Sequence, residues 1–172
     1  MIQKALFGAG CFWGVEEHFR EMSGIIKTEV GYSGGNTKNP TYESVCYQNT
    51  DHAEVLQLDF DDEIISYSTL VDEFWKCHDP TTIDRQGPDI GRQYRSVIYY
   101  FDEFQKKVAE TSKGKHQTSF NNMIVTEITK ADTFYKAEEE HQQFYKKNPR
   151  RYQQEKRERA EWEETNAAEA RL

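Results

Sequence analysis

The sequence predicts helices packed over one mixed β-sheet, a sandwich of the α+β or α/β class. Three observations carry that expectation. Apolar residues follow strand and helix periods in alternation over about the first 147 of 172 residues. Some connections between these segments are long. The chain length suits one domain with a proper core, and a hydrophobic content of 36% is supplemented by large aromatic side chains at 13%.

The elements follow in order. Ile2–Phe7 reads as a strand, and Trp13–Met22 as a helix in which Val15 and Phe19 stand four apart. Gly24–Gly31 reads as a strand, and Ser33–Pro40 carries turn residues throughout and reads as a loop. Asn39-Pro40 before Thr41 suits a short helical turn through Val45. His52–Phe60 alternates cleanly, the clearest strand signal in the chain. Ser66–Cys77 is a helix with Leu70, Phe74 and Cys77 on one face. Pro80–Tyr94 is a long polar loop, a kind that compact domains more often use than leave idle. Arg95–Phe101 is a strand, Asp102 caps a helix that fades near Gly114, and Met123–Thr129 is another strand. Ala137–Lys147 is a helix stopped by Asn148-Pro149. Residues 1–149 form the expected domain. Residues 150–172 hold good helix formers without an apolar stripe, their only aromatic groups being Tyr152 and Trp162. They read as a solvated helix or charged tail, with a partner-binding helix anchored by Trp162 as the alternative.

Charge and cysteine usage narrow the chemistry. With 22 basic and 30 acidic residues the formal charge is −8, which repels phosphate backbones and argues against nucleic acid. No stretch approaches the length of a membrane helix, and the first residues lack a secretory pattern, so a cytoplasmic protein is expected. Cys11, Cys46 and Cys77 are odd in number and widely spaced, so each is judged as a thiol.

Phe7–Gly14, reading FGAGCFWG, lies where a strand hands over to a helix. Its glycines give G-x-G-x-x-x-G, one place off the dinucleotide fingerprint, and Cys11, Phe12 and Trp13 stand where phosphates would approach. The alternative is a turn that presents a cysteine. A thiol at a helix start meets unpaired N–H groups and the positive dipole end, which lower its pKa. Phe12 and Trp13 then wall an apolar pocket; ordinary core packing is the plainer reading, which the three glycines weaken. Along His52–Phe60, Glu54 shares a face with Leu56, Leu58 and Phe60. A desolvated carboxyl there has a raised pKa and suits a general acid; a carboxylate at the strand end, reaching solvent or an Arg, fits the spacing equally well.

These residues carry a family resemblance. Gly10-Cys11-Phe12-Trp13-Gly14, Gly31-Tyr32-Ser33-Gly34-Gly35, Pro40-Thr41-Tyr42, His52-Ala53-Glu54-Val55, His78-Asp79-Pro80-Thr81, Arg85-Gln86-Gly87, Gln93-Tyr94-Arg95-Ser96 and Ala137–Gln143 occur in that order. The chain resembles the A-type peptide methionine sulfoxide reductases through about 150 of its 172 residues. The resemblance implies an α+β two-layer sandwich with a mixed sheet, a ferredoxin-like core with extensions. It implies reduction of methionine S-sulfoxide, free or in proteins, through a cysteine sulfenic acid, repairing oxidised proteins. By motif, Cys11 resembles the nucleophile and Glu54 the acid that protonates the sulfoxide oxygen. Phe12 and Trp13 resemble the methyl pocket, Tyr42 and Tyr94 the hydroxyls on that oxygen, and Asp89 a polar group ordering the pocket. No bound cofactor or metal is implied. The partners implied are oxidised peptides and proteins and an external thiol, thioredoxin or glutathione with glutaredoxin; a monomer is expected.

The pattern departs from the family in its tail, which has no cysteine beyond Pro149. Regeneration then falls to the external thiol, with Cys46 second because its helical turn also carries Tyr42; Cys77 reads as a core thiol. Asp51 stands where glycine is usual and either raises the pKa of Glu54 or faces water. Pro88 stands where asparagine is usual and leaves the orientation of Asp89 open. His52, His78 and Cys77 lack zinc-type spacing and read as structural. A peroxidase, a disulfide-exchange enzyme lacking C-x-x-C, and a sulfoxide-binding module without turnover are the competing functions.

Overall fold

The computed structural model describes residues 1–170, with side chains described through residue 168. Strand β1 (Ile2–Ala9) leads through Cys11 to helix α1 (Phe12–Phe19), and β2 (Ile25–Ser33) leads to the short α2 (Tyr42–Tyr47). Strand β3 (Ala53–Asp61) precedes α3 (Tyr67–Lys76), a two-residue hairpin of β4 (Arg85–Gln86) and β5 (Asp89–Ile90), and β6 (Ser96–Tyr100). Then come α4 (Glu103–His116), β7 (Glu127–Lys130), β8 (Tyr135–Lys136), α5 (Phe144–Lys147) and α6 (Pro149–Ala170).

The main sheet runs β7-β6-β1-β3-β2-β8. Its inner four strands are antiparallel and ordered fourth, first, third, second, with α1 and α3 as crossovers. That is the ferredoxin-like pattern, extended at one edge by parallel β7 and at the other by β8. The sheet is therefore mixed, and the α+β class holds.

Alternation along the strands sorts the core. Ala5, Phe7 and Ala9 of β1 and Leu56, Leu58 and Phe60 of β3 face the helices with Phe19, Leu70, Phe74 and Ala109. Leu6, Ala53, Val55, Val97 and Tyr99 occupy the other face in a smaller cluster closed by Ala131 and Phe134. Phe7 sits at the centre of the helix-covered layer, its ring 5.2 Å from Phe74, 5.7 Å from Phe19 and 6.3 Å from Tyr67. Local caps start the helices where expected. Ser66 Oγ accepts from Thr69 N at 3.0 Å, Asp102 Oδ1 from Gln105 N at 2.8 Å, and Thr41 and Ser44 form a reciprocal box on α2.

Three expected elements differ. The polar loop over residues 80–94 contains the β4–β5 hairpin and a single 3-10 turn at Arg92–Tyr94. The strand expected from Met123 begins only at Glu127, parallel to β6. The helix expected over Ala137–Lys147 is broken. After β8, a 3-10 turn at Glu139–His141 and the four-residue α5 stand in its place, the two separated by Gln143 at φ 52°. The cause is side-chain competition for the backbone. Gln142 accepts from Val30 N and donates to Val30 O, both at 2.9 Å, acting as a strand partner for β2 where its pairing with β8 stops, and Ala137 N also donates to Val30 O. Asn148-Pro149 stops α5 at Lys147 as expected, and Pro149 also begins α6, since proline suits a first helical turn.

Candidate active site

The turn between β1 and α1 is shaped by steric need. Gly10 has φ +92°, and a Cβ there would lie 2.6 Å from Gln86 Cγ. At Gly8 a Cβ would meet Val97 Cγ1 at 2.7 Å. Gly14, expected to give access as well, would meet nothing within 4 Å, so that glycine has no steric role. Cys11 is left as the N-cap of α1, half-buried, its carbonyl accepting from Gly14 and Val15.

Glu54 lies on the helix-covered face of β3 and is 1% exposed. Its Oε1 accepts from the backbone N–H of Phe12 at 3.1 Å, which ties the carboxyl to the peptide after Cys11. Burial pushes its pKa up to about 8; the Phe12 bond pulls it down and the charge of Asp89 pushes it up again. The strand-end reading of Glu54 is thereby set aside: among the described residues no cation pairs with it, and it is not in solvent.

Cys11 departs from expectation. Desolvation, then the charge of Glu54, hold its thiol well above the usual range, against the Trp13 backbone N–H and the Arg159 guanidinium. Helix α1 has only eight residues, and its dipole end does not outweigh burial. The resting thiol is protonated, beside a carboxyl that is largely protonated at neutral pH.

Above the sulfur is a cavity of about 400 Å³. Cys11, Trp13, Tyr42, Asp89 and Tyr94 line it, and α6 closes it with Arg159 and Trp162. The structure thus brings five of the seven predicted residues to one cavity; Phe12, fully buried, packs behind them against Tyr32, Tyr42 and His141. Glu54 does not line the cavity: it is tied to the Phe12 N–H, and its charge acts on Cys11, Tyr42 and Tyr94. Burial raises both phenols, which keeps them as neutral hydrogen-bond donors. Trp13 is held by stacking on Phe144 at 3.8 Å and by donating Nε1–H to His141 Nδ1 at 3.1 Å. Glu138 anchors the other wall, accepting from Tyr32 Oη at 3.0 Å and Tyr42 N at 2.9 Å. Sequence reasoning missed Glu138, His141 and Arg159. The first two lie in the 137–143 motif, where a helical reading hid their roles; Arg159 lies on a face of α6 with Tyr152, Glu155 and Trp162, at helical spacing but with few apolar residues to mark it.

The remaining thiols differ from each other. Cys46 is half-buried, its pKa raised by burial against the opposing influence of the Tyr42 hydroxyl. Cys77, expected in the core, only borders it: the thiol donates to Phe74 O at 3.2 Å, burial pushes its pKa up to about 12, and it opens on a cavity of about 420 Å³ shared with Cys11. Asp51, at φ 61°, is bonded to Arg92, and the charge raising Glu54 is that of Asp89. Asp89 is oriented by Arg159 Nη2 at 2.9 Å.

Histidine chemistry is structural. His52 takes the Gly35 N–H at Nδ1 and bonds Thr37 O at 2.6 Å. His78 is bonded to Phe74 O and Ser96 Oγ, and burial lowers its pKa to about 4. Among the described residues, Glu138, Glu140 and His141 cluster within metal-binding reach. The indole N–H of Trp13 occupies the Nδ1 lone pair of His141, so the neutral ring carries its hydrogen on Nε2 and offers no ligand atom to the cluster.

The chain matches the family model described as peptide methionine sulfoxide reductase over residues 3–171. It is 55% identical over 151 residues to the peptide methionine sulfoxide reductase MsrA of Methanothermobacter thermautotrophicus, covering 87% of this chain and 89% of that one. Among solved structures it resembles Mxr1 from Saccharomyces cerevisiae in reduced form, with a TM-score of 0.82 and 36% identity over 86% of each chain. It also resembles Mxr1 in complex with Trx2, with a TM-score of 0.61 and 28% identity, covering 81% of this chain and 84% of that one. No helix among the described residues is long and apolar enough to cross a membrane.

Proposed function

The chain belongs to the peptide methionine sulfoxide reductase family, and from that premise we propose how its residues reduce methionine sulfoxide to methionine. The substrate methyl rests against Trp13, with Phe12 as packing behind it. The sulfoxide oxygen accepts hydrogen bonds from Tyr42 and Tyr94. Glu54 gives that oxygen its proton, which makes the sulfur electrophilic, and recovers a proton from the Cys11 thiol as the thiol attacks. A neutral carboxyl and a protonated thiol are the starting states this relay needs. Oxygen passes from methionine to Cys11; the thiol and sulfoxide become a sulfenic acid and a thioether. Asp89 orders the cavity from the loop side.

The observation that carries this reading is the buried Glu54 carboxyl bonded to the peptide directly after Cys11. An external dithiol of the thioredoxin kind then attacks the sulfenic acid, forms a mixed disulfide with loss of water, and is oxidised as Cys11 is regenerated. The resemblance to Mxr1 solved with Trx2 supports that choice. Cys46, sharing α2 with Tyr42, is the internal second route.

Turnover of the separated S- and R-sulfoxides with dithiothreitol tests the reading. The S form is expected to be consumed, and Cys11→Ser to consume neither. A Cys11→Ser protein that still releases methionine at the wild-type rate removes Cys11 from the mechanism. After one turnover without reductant, dimedone should label Cys11; a Cys11–Cys46 disulfide instead would make Cys46 the resolving thiol.

A further inference from the structure

Helix α6 is anchored by one face. Tyr152 lies 4.8 Å from the Tyr145 ring, Glu155 bonds Tyr145 Oη, and Trp162 takes the Arg85 guanidinium 5.7 Å from its ring centroid. Arg159, between these contacts, is half-buried and donates from Nη2 to Asp89 Oδ2 at 2.9 Å. Two cavities meet beneath the helix, one of about 400 Å³ holding Trp13, Tyr42 and Tyr94, the other of about 420 Å³ holding Cys77. Among the described residues, Cys11 and Arg159 are the two that line both. The sulfur and the guanidinium therefore stand at the same partition.

We propose that Arg159 is a positioning residue of the Cys11 site: it orients Asp89 and supplies the cation that faces the reactive sulfur. The proposal rests on Cys11 being the nucleophile. Among the described residues, the other titratable groups that act on the sulfur bring it no positive charge. Glu54 from β3 is an acid that burial holds largely protonated up to about pH 8, Asp89 from β5 is an acid, and Tyr94 and Tyr145 are phenols that burial keeps neutral. The other nearby cations among the described residues are engaged elsewhere, Arg151 with Glu155 at 2.7 Å and over Trp13, and Lys156 over Tyr152. On the α1 side, Glu17 is paired with Arg20 and His18 with Glu73. Glu158 accepts from Gln154 at 2.9 Å, and Glu163 is exposed on the α6 wall. Among the described residues Arg159 is thus the cation that offsets Asp89, and Glu54 once it ionises, and its charge lowers the pKa of Cys11.

The test is the pH dependence of Cys11 alkylation by iodoacetamide, read by peptide-resolved mass spectrometry, beside kcat and KM for the S-sulfoxide. Arg159→Gln should move the Cys11 midpoint up by about one pH unit, about tenfold less thiolate at a given pH, and lower kcat more than KM changes. Arg159→Lys should recover most of the shift, because it restores the charge without the fork. Trp162→Ala loosens α6 while keeping the charge, and should leave the midpoint near that of wild type. An unmoved midpoint in Arg159→Gln overturns the proposal, as does an equal shift in Trp162→Ala, which would make Arg159 an anchor for the helix. Alkylation needs no turnover, so loss of the reductase reading through an active Cys11→Ser protein is a separate result.

Discussion

The floor and the roof of this site are built by different physics. The floor is the end of β1 and β3, where Cys11 and Glu54 are held by a fully buried apolar layer and one backbone hydrogen bond. The roof is α6, a charged helix held by an ion pair, a cation–π contact and a tyrosine contact. In the proposed mechanism, burial in the floor supplies the acid, because it holds the Glu54 carboxyl protonated. In the proposed role of Arg159, charge in the roof tempers that burial, because a cation favours ionisation of the thiol. The difference teaches where tolerance lies: the floor is fixed by packing, and the roof by a few exchangeable polar contacts.

The sharpest way to break the comparison is Glu54→Gln. The amide keeps an oxygen for the Phe12 N–H but has no acidic proton, so kcat should fall by about 10²-fold or more with KM near wild type. A raised KM with intact kcat would turn Glu54 into a binding group only.

The same residue makes the floor pH-sensitive. Its pKa rises from 4.5 to about 8 on folding, so the folded chain keeps a proton that the unfolded chain releases between those values. This stabilisation is full below pH 4.5 and is lost as pH rises through about 8. Across that window the group lowers folding stability by on the order of 4 kcal/mol. Urea unfolding should show wild type weakening from pH 5 to pH 8 more than Glu54→Gln does. Parallel curves for the two proteins would mean that Glu54 is already ionised when folded.

A smaller contrast separates packing from polar anchoring. Phe7→Ala, at the centre of the floor, should cost about 4 kcal/mol in urea unfolding. Trp162→Ala, in the roof, should cost less than about 1 kcal/mol. Equal costs would merge floor and roof into a single cooperative layer.

How much the sequence disclosed follows the same division. Strand alternation placed Glu54 on the apolar face of its strand, though not whether it was buried there, and the turn residues before Cys11 placed that thiol at a helix start; both are local patterns. The pKa of Cys11 was not legible, because burial depends on α6 and β3 closing from afar and the dipole of an eight-residue α1 is weak. The 137–147 segment misled because Gln142, Glu138 and His141 read as helix formers while their side chains bind strand, tyrosine and indole partners. Arg159 was hidden because a polar face shows no hydrophobic period, although Tyr152, Glu155 and Trp162 share its side of the helix.

The Gln142 clamp has a consequence outside the site. By satisfying both backbone groups of Val30, next to the two-residue β8, it leaves an incoming extended peptide nothing to pair with there. At that position the margin of the sheet is closed to strand addition by a side chain of the same molecule.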